Sequence, residues 1–226
     1  MSIAIIAALP GELKPLVHDW HRSESKSEMN TWSGVIAGHE AVAIAGGMGS
    51  AAAARAVTQA LDRGRPHALI SYGWCGAITC AVKPPMVFTI SEVIDHSTGD
   101  SFHTASTEGM RLVTLDHVAG PNEKRPLAEK HQAVLVDMEA ATVARLAIEN
   151  DVPFYCFKAI SDAYTDNLPD FNRFISPVGQ LHMPAFLTYA AFHPGYWPAL
   201  TRLGRNSSRA ASNLARLLSK FQLQSL

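Results

Sequence analysis

Short apolar runs separated by polar or glycine-rich breaks recur along the first 164 residues. Residues 3–9, 67–72, 86–94, 111–115, 134–136 and 154–160 are each short and apolar enough to read as buried strands. Residues 31–36 and 40–45, on either side of Gly38-His39, add two more. Helical segments lie between them. Glu12 opens one after Pro10-Gly11, carrying Leu13, Leu16 and Val17. The alanine-rich stretch 51–61 is a second, broken by Gly64-Arg65-Pro66. Residues 123–131 are a third. A fourth follows Glu139, with Ala141, Ala144, Ala147 and Ile148 near helical spacing, and ends at Asn150-Asp151 and Pro153. Residues 21–31 read as a loop, and 95–110 as a loop or hairpin. The alternation predicts an α/β three-layer sandwich with a central mixed, mostly parallel sheet.

Past Tyr164 the pattern changes. Residues 166–180 are loop-rich, 184–192 are apolar, and 193–198 form a break. Residues 199–223 read as an amphipathic helix. Leu200, Leu203, Leu214, Leu217, Leu218 and Phe221 stand against Arg202, Arg205, Arg209, Arg216 and Lys220, with no acidic residue among them. The absence of a repeat or linker predicts a single domain, 1–226, with a C-terminal helical segment from about 184 to 226.

Composition narrows the classes. A formal net charge of −1 argues against a general polyanion binder such as a nucleic-acid protein. Cys75, Cys80 and Cys156 are too few for a disulfide framework and have no metal-ligand spacing, so they read as reduced thiols of a cytoplasmic protein with no metal. The apolar run at 3–9 lacks a basic start and is too short for a signal or membrane-spanning segment, so it reads as the first strand.

The candidate chemistry collects at strand ends. Glu12, the loop 46–49, the loop 73–77 and Asp162 each fall just past the carboxyl end of a predicted strand, and Glu139 follows another. Acidic groups and glycine loops converging on one crevice suit a small polar ligand. Gly47-Met-Gly49-Ser-Ala-Ala52 formally matches GxGxxA, a dinucleotide signature. It is not in the first βα unit, however, and the next strand ends at Ser71-Tyr72 without the acid that would hold a ribose. A loop whose amides approach an anion or a sugar, and a tight turn packed on its helix, both stay open. Singly, each acid also fits a structural role: Asp162 as a cap, Glu139 and Glu12 as first-turn charges.

Taken together these residues carry a family resemblance. Val136-Asp-Met-Glu-Ala-Ala141, followed about twenty residues later by Lys158-Ala-Ile-Ser-Asp162, resembles the paired signature of the purine nucleoside phosphorylase and methylthioadenosine/adenosylhomocysteine nucleosidase superfamily. Residues 3–13 resemble its first strand with the acid that follows, and Gly47-Met-Gly49 and Gly73-Trp-Cys-Gly-Ala77 its two glycine loops. The match covers roughly residues 3–166. The short loop 116–126 and the tail most resemble the hopanoid-associated branch, which acts on adenosylhopane.

The resemblance implies a nucleoside phosphorylase-like fold and cleavage of the N-glycosidic bond of a purine nucleoside, with a 5′-substituted adenosine as substrate. Glu139 would hold the ribose 2′ and 3′ hydroxyls, with Met138 under the sugar. Asp162 would protonate or hydrogen-bond purine N7 as the base leaves, supported by Ser161. Cys75 and Gly76 would line the base pocket, Val118 and Ala119 would offer backbone contacts to adenine, and Gly47 would belong to the first substrate-binding loop. Glu12 matches the acid that orients water in the hydrolytic members. It also implies no cofactor, beyond phosphate as co-substrate of a phosphorylase, and a homo-oligomer.

Two departures bear on the nucleophile. Trp74 stands where phosphorylases commonly have a phosphate-binding Ser, and Ser71 where some have Arg. Lys158 stands where nucleosidases often have Arg. Hydrolysis is therefore favoured over phosphorolysis, with a non-catalytic nucleoside-binding protein as the remaining alternative. Trp74 reads as narrowing the nucleophile site, as packing on the ligand, or as core filling. The basic C-terminal helix, with Tyr196-Trp197, suits either an anionic membrane surface or packing on the sheet with a solvated arginine face.

Overall fold

The protein is described by a computed structural model over residues 2–24, 29–176 and 178–221. Residues 25–28 of the expected first loop and 222–223 at the end of the expected last helix lie outside this range. The chain runs β1 (Ser2–Ala7), α1 (Pro10–Leu13), β2 (His21–Arg22), β3 (Asn30–Ile36), β4 (His39–Ala45), α2 (Ser50–Leu61), β5 (Ala68–Ala77), β6 (Val87–Asp95), β7 (Ser101–His103), β8 (Met110–Thr114), α3 (Pro121–His131), β9 (Leu135–Asp137), α4 (Ala140–Glu149), β10 (Phe154–Asp162), α5 (Met183–Phe192) and α6 (Trp197–Lys220).

The sheet has an open wing and a closed part. The wing runs β5-β1-β4-β3-β2, while β5, β10, β6, β8 and β9 pair in a ring that returns to β5. Alternate residues of β1 feed two apolar layers. Ala4 and Ile6 pack with Ala53, Ala56 and Val57 of α2 and Val143 and Ala144 of α4. Ile3 and Ile5 pack with Leu13 beside α6's Ala210, Leu214 and Leu218. Helices therefore cover both faces, as the three-layer expectation requires. A smaller cluster, Ile78, Val113, Leu115 and Leu127, seats α3 on the ring.

The sheet is mixed, as expected: among the described residues, five strand pairings are parallel and five antiparallel, and the parallel ones hold the greater share of the paired residues. The antiparallel ones are those joining β2 to β3, β3 to β4 and β6 to β7, and the β5–β9 and β6–β10 contacts that complete the ring. The helix expected from Glu12 through Val17 is the single turn α1. Pro15 has no N–H to donate to the Gly11 carbonyl, so the turn cannot propagate.

The segment 73–77 is not a loop but the last half of β5. Gly73 to Gly76 pair with Lys158 to Asp162 of β10, and Gly76 and Ala77 with Val136 and Leu135 of β9. Glycine is required at position 73 by proximity: a Cβ there would sit 2.5 Å from Glu12 Oε1. β5 thus delivers its second half, with bare backbone at Gly73 and Gly76, directly into the region where the acids converge.

Candidate active site

Glu12 is built into place by local chemistry. Pro10 opens α1 at its first position, and Glu12, at the third, turns back on the preceding backbone. Its Oε2 accepts the amides of Ala8 at 2.8 Å and Leu9 at 2.7 Å. Its Oε1 accepts the amide of Trp74 at 2.7 Å. Three backbone donors therefore hold a carboxylate that is only 4% exposed. Burial still pushes its pKa above the ordinary value, and the amides of Leu9 and Trp74, with Lys158, oppose the rise.

Glu139 sits where β9 gives way to α4. Asp137 satisfies the start of that helix by accepting the Ala140 amide at 3.0 Å. This leaves the Glu139 carboxylate free to take the Gly49 amide at 2.7 Å, across 90 residues of sequence. Asp137 itself is locked by Thr114 Oγ1 at 2.7 Å and by the buried Lys158 ammonium at 2.7 Å. Burial, then the neighbouring Asp137 charge, pushes the Glu139 pKa up to about 7.

Asp162 ends β10. Ser161 Oγ donates to its Oδ1 at 2.9 Å, and Lys124 Nζ to its Oδ2 at 3.2 Å. Burial raises its pKa as well, against Lys124 and Ser161, which lower it. Four carboxyls, those of Glu12, Asp137, Glu139 and Asp162, thus meet two ammonium groups, those of Lys124 and Lys158. Burial is the main cause that raises the pKa of Glu12, Glu139 and Asp162, and for Asp162 this is the direction an acid catalyst needs.

One cavity of about 260 Å³ takes in every residue singled out from the sequence except Gly47. Glu12, Glu139 and Asp162 open into it, and Met138, Cys75 and Gly76 form part of its wall. Gly76 is needed small there, since a Cβ would stand 3.1 Å from Asp162 Oδ2. Cys75 presents a buried thiol, and its carbonyl accepts a second Ser161 Oγ contact at 3.2 Å. Trp74 anchors α6 through Nε1, which donates to the Ser207 carbonyl at 3.1 Å. It both lines the cavity and ties β5 to α6, whose Leu203 and Ser207 line the cavity too. Val118 and Ala119 line the cavity too, but the Val118 amide and carbonyl are both engaged by the Asn172 side chain.

Gly47 lies outside the wall. Its amide bonds to the Ala8 carbonyl at 2.9 Å, and the Gly179 backbone packs so close that a Cβ at 47 would meet Gly179 O at 2.9 Å. Met48, one residue on, lines the cavity instead.

Lys124 escaped the sequence reading. It is 3% exposed, and besides Asp162 it reaches the Ala163 carbonyl at 3.0 Å. Its spacing with Leu127 and His131, the other buried positions of α3, was the available signal. Also unforeseen were the apolar walls Leu168, Phe171, Leu181 and Leu203, brought in from the last third of the chain.

Comparison with known proteins agrees with this arrangement. The family model described as the phosphorylase superfamily matches residues 2–115 and 98–180. The chain belongs to the phosphorylase superfamily. Among curated members, the 5′-methylthioadenosine/S-adenosylhomocysteine nucleosidase of Bacillus anthracis is 25% identical over 224 aligned positions, covering 83% of this chain and 96% of that protein. The fold is also that of solved nucleosidases. The enzyme of the same description from S. pneumoniae, in complex with a transition-state inhibitor, superposes with a TM-score of 0.71 at 21% identity, over 97% of both chains. That of Helicobacter pylori superposes with a TM-score of 0.73 at 14% identity, over 96% of both. Among the described residues, no group of three or more metal-ligating side chains is clustered, and no helix is long and apolar enough to cross a membrane.

Proposed function

We propose that this chain is an N-ribosyl hydrolase that releases adenine from a 5′-substituted adenosine. The observation that carries the reading is Glu12. The amides of Ala8, Leu9 and Trp74, which could have cradled a phosphate, all donate to its carboxylate. The Gly49 amide of the first glycine segment is likewise engaged by Glu139. A carboxylate occupying the amide nest repels phosphate and accepts a proton from water, which selects hydrolysis.

The division of labour follows from charge. As the ribosyl–base bond breaks, the sugar becomes positive and the base negative. Glu139 accepts the ribose hydroxyls, and its charge faces the developing cation while Met138 packs under the sugar. Asp162, fixed through both oxygens, delivers a proton to N7 of the leaving adenine. Glu12 takes the proton of the attacking water. The absence of side chains at Gly73 and Gly76 lets the Glu12 and Asp162 carboxylates lie close against the strand. Catalysis in this scheme needs no cofactor.

The finer substrate reading rests on the walls. Leu9, Leu168, Phe171, Leu181 and Leu203 are apolar and face the same cavity as the acids. They favour an apolar 5′ substituent, either a thioether or a bulky hydrocarbon of the adenosylhopane kind, over a free 5′ hydroxyl. The test is adenine release from methylthioadenosine, adenosylhomocysteine and adenosylhopane, with and without phosphate. The expected product is the free ribosyl compound at a rate independent of phosphate. A phosphorylated sugar would make the enzyme a phosphorylase, and binding without release would make the chain a nucleoside-binding protein.

Lys124 supplies a separate prediction. Its ammonium stabilises the ionised form of Asp162, so Lys124→Met raises the Asp162 pKa further. The alkaline limb of the kcat profile, where Asp162 loses its proton, should move to higher pH, and kcat at the optimum should fall about tenfold as the carboxyl loses one of its two anchors. An alkaline limb in the same place as in the wild type would remove Lys124 from the control of Asp162.

A further inference from the structure

α5 is an apolar helix lying outside the sandwich. None of its ten residues is charged. Phe186 alone is buried, stacked on Phe171 and edge-on to Phe174. Leu187 is 59% exposed and Phe192 79%, and Trp197, where α6 begins, is 54% exposed. A helix that is apolar all round belongs in a protein core or in lipid, and this one is left uncovered by the fold.

The charge of the surrounding segment is the second observation. Residues 171–226 contain six arginines and lysines and no aspartate or glutamate, so this quarter of the chain carries +6 against −7 for residues 1–170. Five of the six, Arg202, Arg205, Arg209, Arg216 and Lys220, fall at i, i+3, i+7, i+14 and i+18 along α6. At about 100° per residue they occupy one stripe roughly 60° wide. All five are exposed, opposite the buried Ala210, Leu214 and Leu218. Arg202 bonds Asp166 at 3.4 Å and lines a shallow depression together with Phe192, His193 and Tyr196. The cationic stripe therefore begins, at Arg202, beside the end of the apolar helix.

That surface excludes its own copy as an occupant. A two-fold contact through the same patch would set the arginine stripe against itself, and Asp166, already paired with Arg202, is the one acidic residue named at its edge. An anionic partner removes the conflict, and exposed Leu187, Phe192 and Trp197 require that partner to be apolar beneath its charge. The geometry points to an anionic lipid bilayer as the occupant: Leu187, Phe192 and Trp197 enter the headgroup boundary, and the α6 stripe lies over the phosphates. This does not depend on the reaction assigned above. It does place Phe171, Leu181 and Leu203, which wall the cavity, in the same segment that meets the membrane.

The test is sedimentation of the full chain with vesicles of phosphatidylcholine alone, or of phosphatidylcholine with about one third phosphatidylglycerol. The expected result is binding to the anionic vesicles at low salt, little binding to the neutral ones, and release at high salt. Arg205→Ser, Arg209→Ser and Arg216→Ser combined should weaken binding on the order of 100-fold, about fivefold for each arginine. Leu187→Ser with Phe192→Ser should also abolish sedimentation, with the melting midpoint of both variants unchanged. Failure to bind anionic vesicles at low salt overturns the proposal, as does binding that survives both sets of substitutions. A dimer that only the double serine variant splits, without vesicle binding, would assign α5 to a second copy. Binding to polyglutamate but not to vesicles would assign the stripe to an acidic protein.

Discussion

Asp162→Asn is expected to bind a 5′-substituted adenosine about as well as the wild type and to release adenine about 10²–10⁴-fold more slowly. The asparagine fits the same space and can keep a satisfied network. Its carbonyl oxygen can turn to Lys124, and its amide can donate to Ser161 Oγ, whose hydroxyl then bonds the Cys75 carbonyl it already approaches at 3.2 Å. The pocket should therefore survive. What disappears is a transferable proton, and burial is what makes that proton available in the wild type by raising the Asp162 pKa. The loss should fall on kcat and leave KM nearly unchanged, since the interaction with N7 matters only as charge develops on the base. Single-turnover adenine release, with nucleoside affinity measured by calorimetry, separates the two. A kcat within a few-fold of wild type would take Asp162 out of proton transfer.

The residues in this prediction show what the sequence made legible. Asp162, Ser161 and Glu139 stand out because each directly follows or ends a short apolar strand, and strand ends are where an α/β sheet exposes polar groups. Lys124 belongs to the same hydrogen-bonded unit and was invisible. α3 is rich in charge, and only the knowledge that its 124/127/131 face is buried separates this lysine from the solvated ones beside it. The strand assignment failed at 73–77 for a similar reason. Two glycines within five residues weaken the composition of a strand. They form one because β9 and β10, from more than fifty residues downstream, pair with them. The ring of five strands is closed by these long-range pairings, which no local pattern encodes. The same holds for the cavity's apolar walls at 168, 171, 181 and 203 and for the placement of α5. Gly47 is a further case: the close approach of the Gly179 backbone, distant in sequence, is a reason for glycine there that no local pattern shows.

Glu12→Gln should abolish hydrolysis while leaving the nucleoside pocket occupied, with kcat/KM reduced about 10²–10⁴-fold. Glutamine keeps the length of the side chain but cannot take a proton from water. It also offers a single acceptor oxygen to the amides of Ala8, Leu9 and Trp74, which now share two. Leaving one buried amide unpaired costs about 1–3 kcal/mol, so a melting curve must accompany the kinetics to establish that the variant is folded at the assay temperature. Added phosphate should not restore turnover. Restoration would mean that phosphate can enter the amide nest once the charge of Glu12 is gone. The wild-type pH profile carries the same argument. Water activation needs Glu12 ionised, and burial raises its pKa above the ordinary 4.5. As pH falls, Glu12 therefore picks up its proton earlier than an exposed glutamate would. The acid limb of kcat/KM should lie above the usual carboxylate range, and the residual rate of Glu12→Gln should lack that limb. An acid limb retained in the variant would place water activation on another group, and Glu139, whose pKa is also raised, would be the first to test.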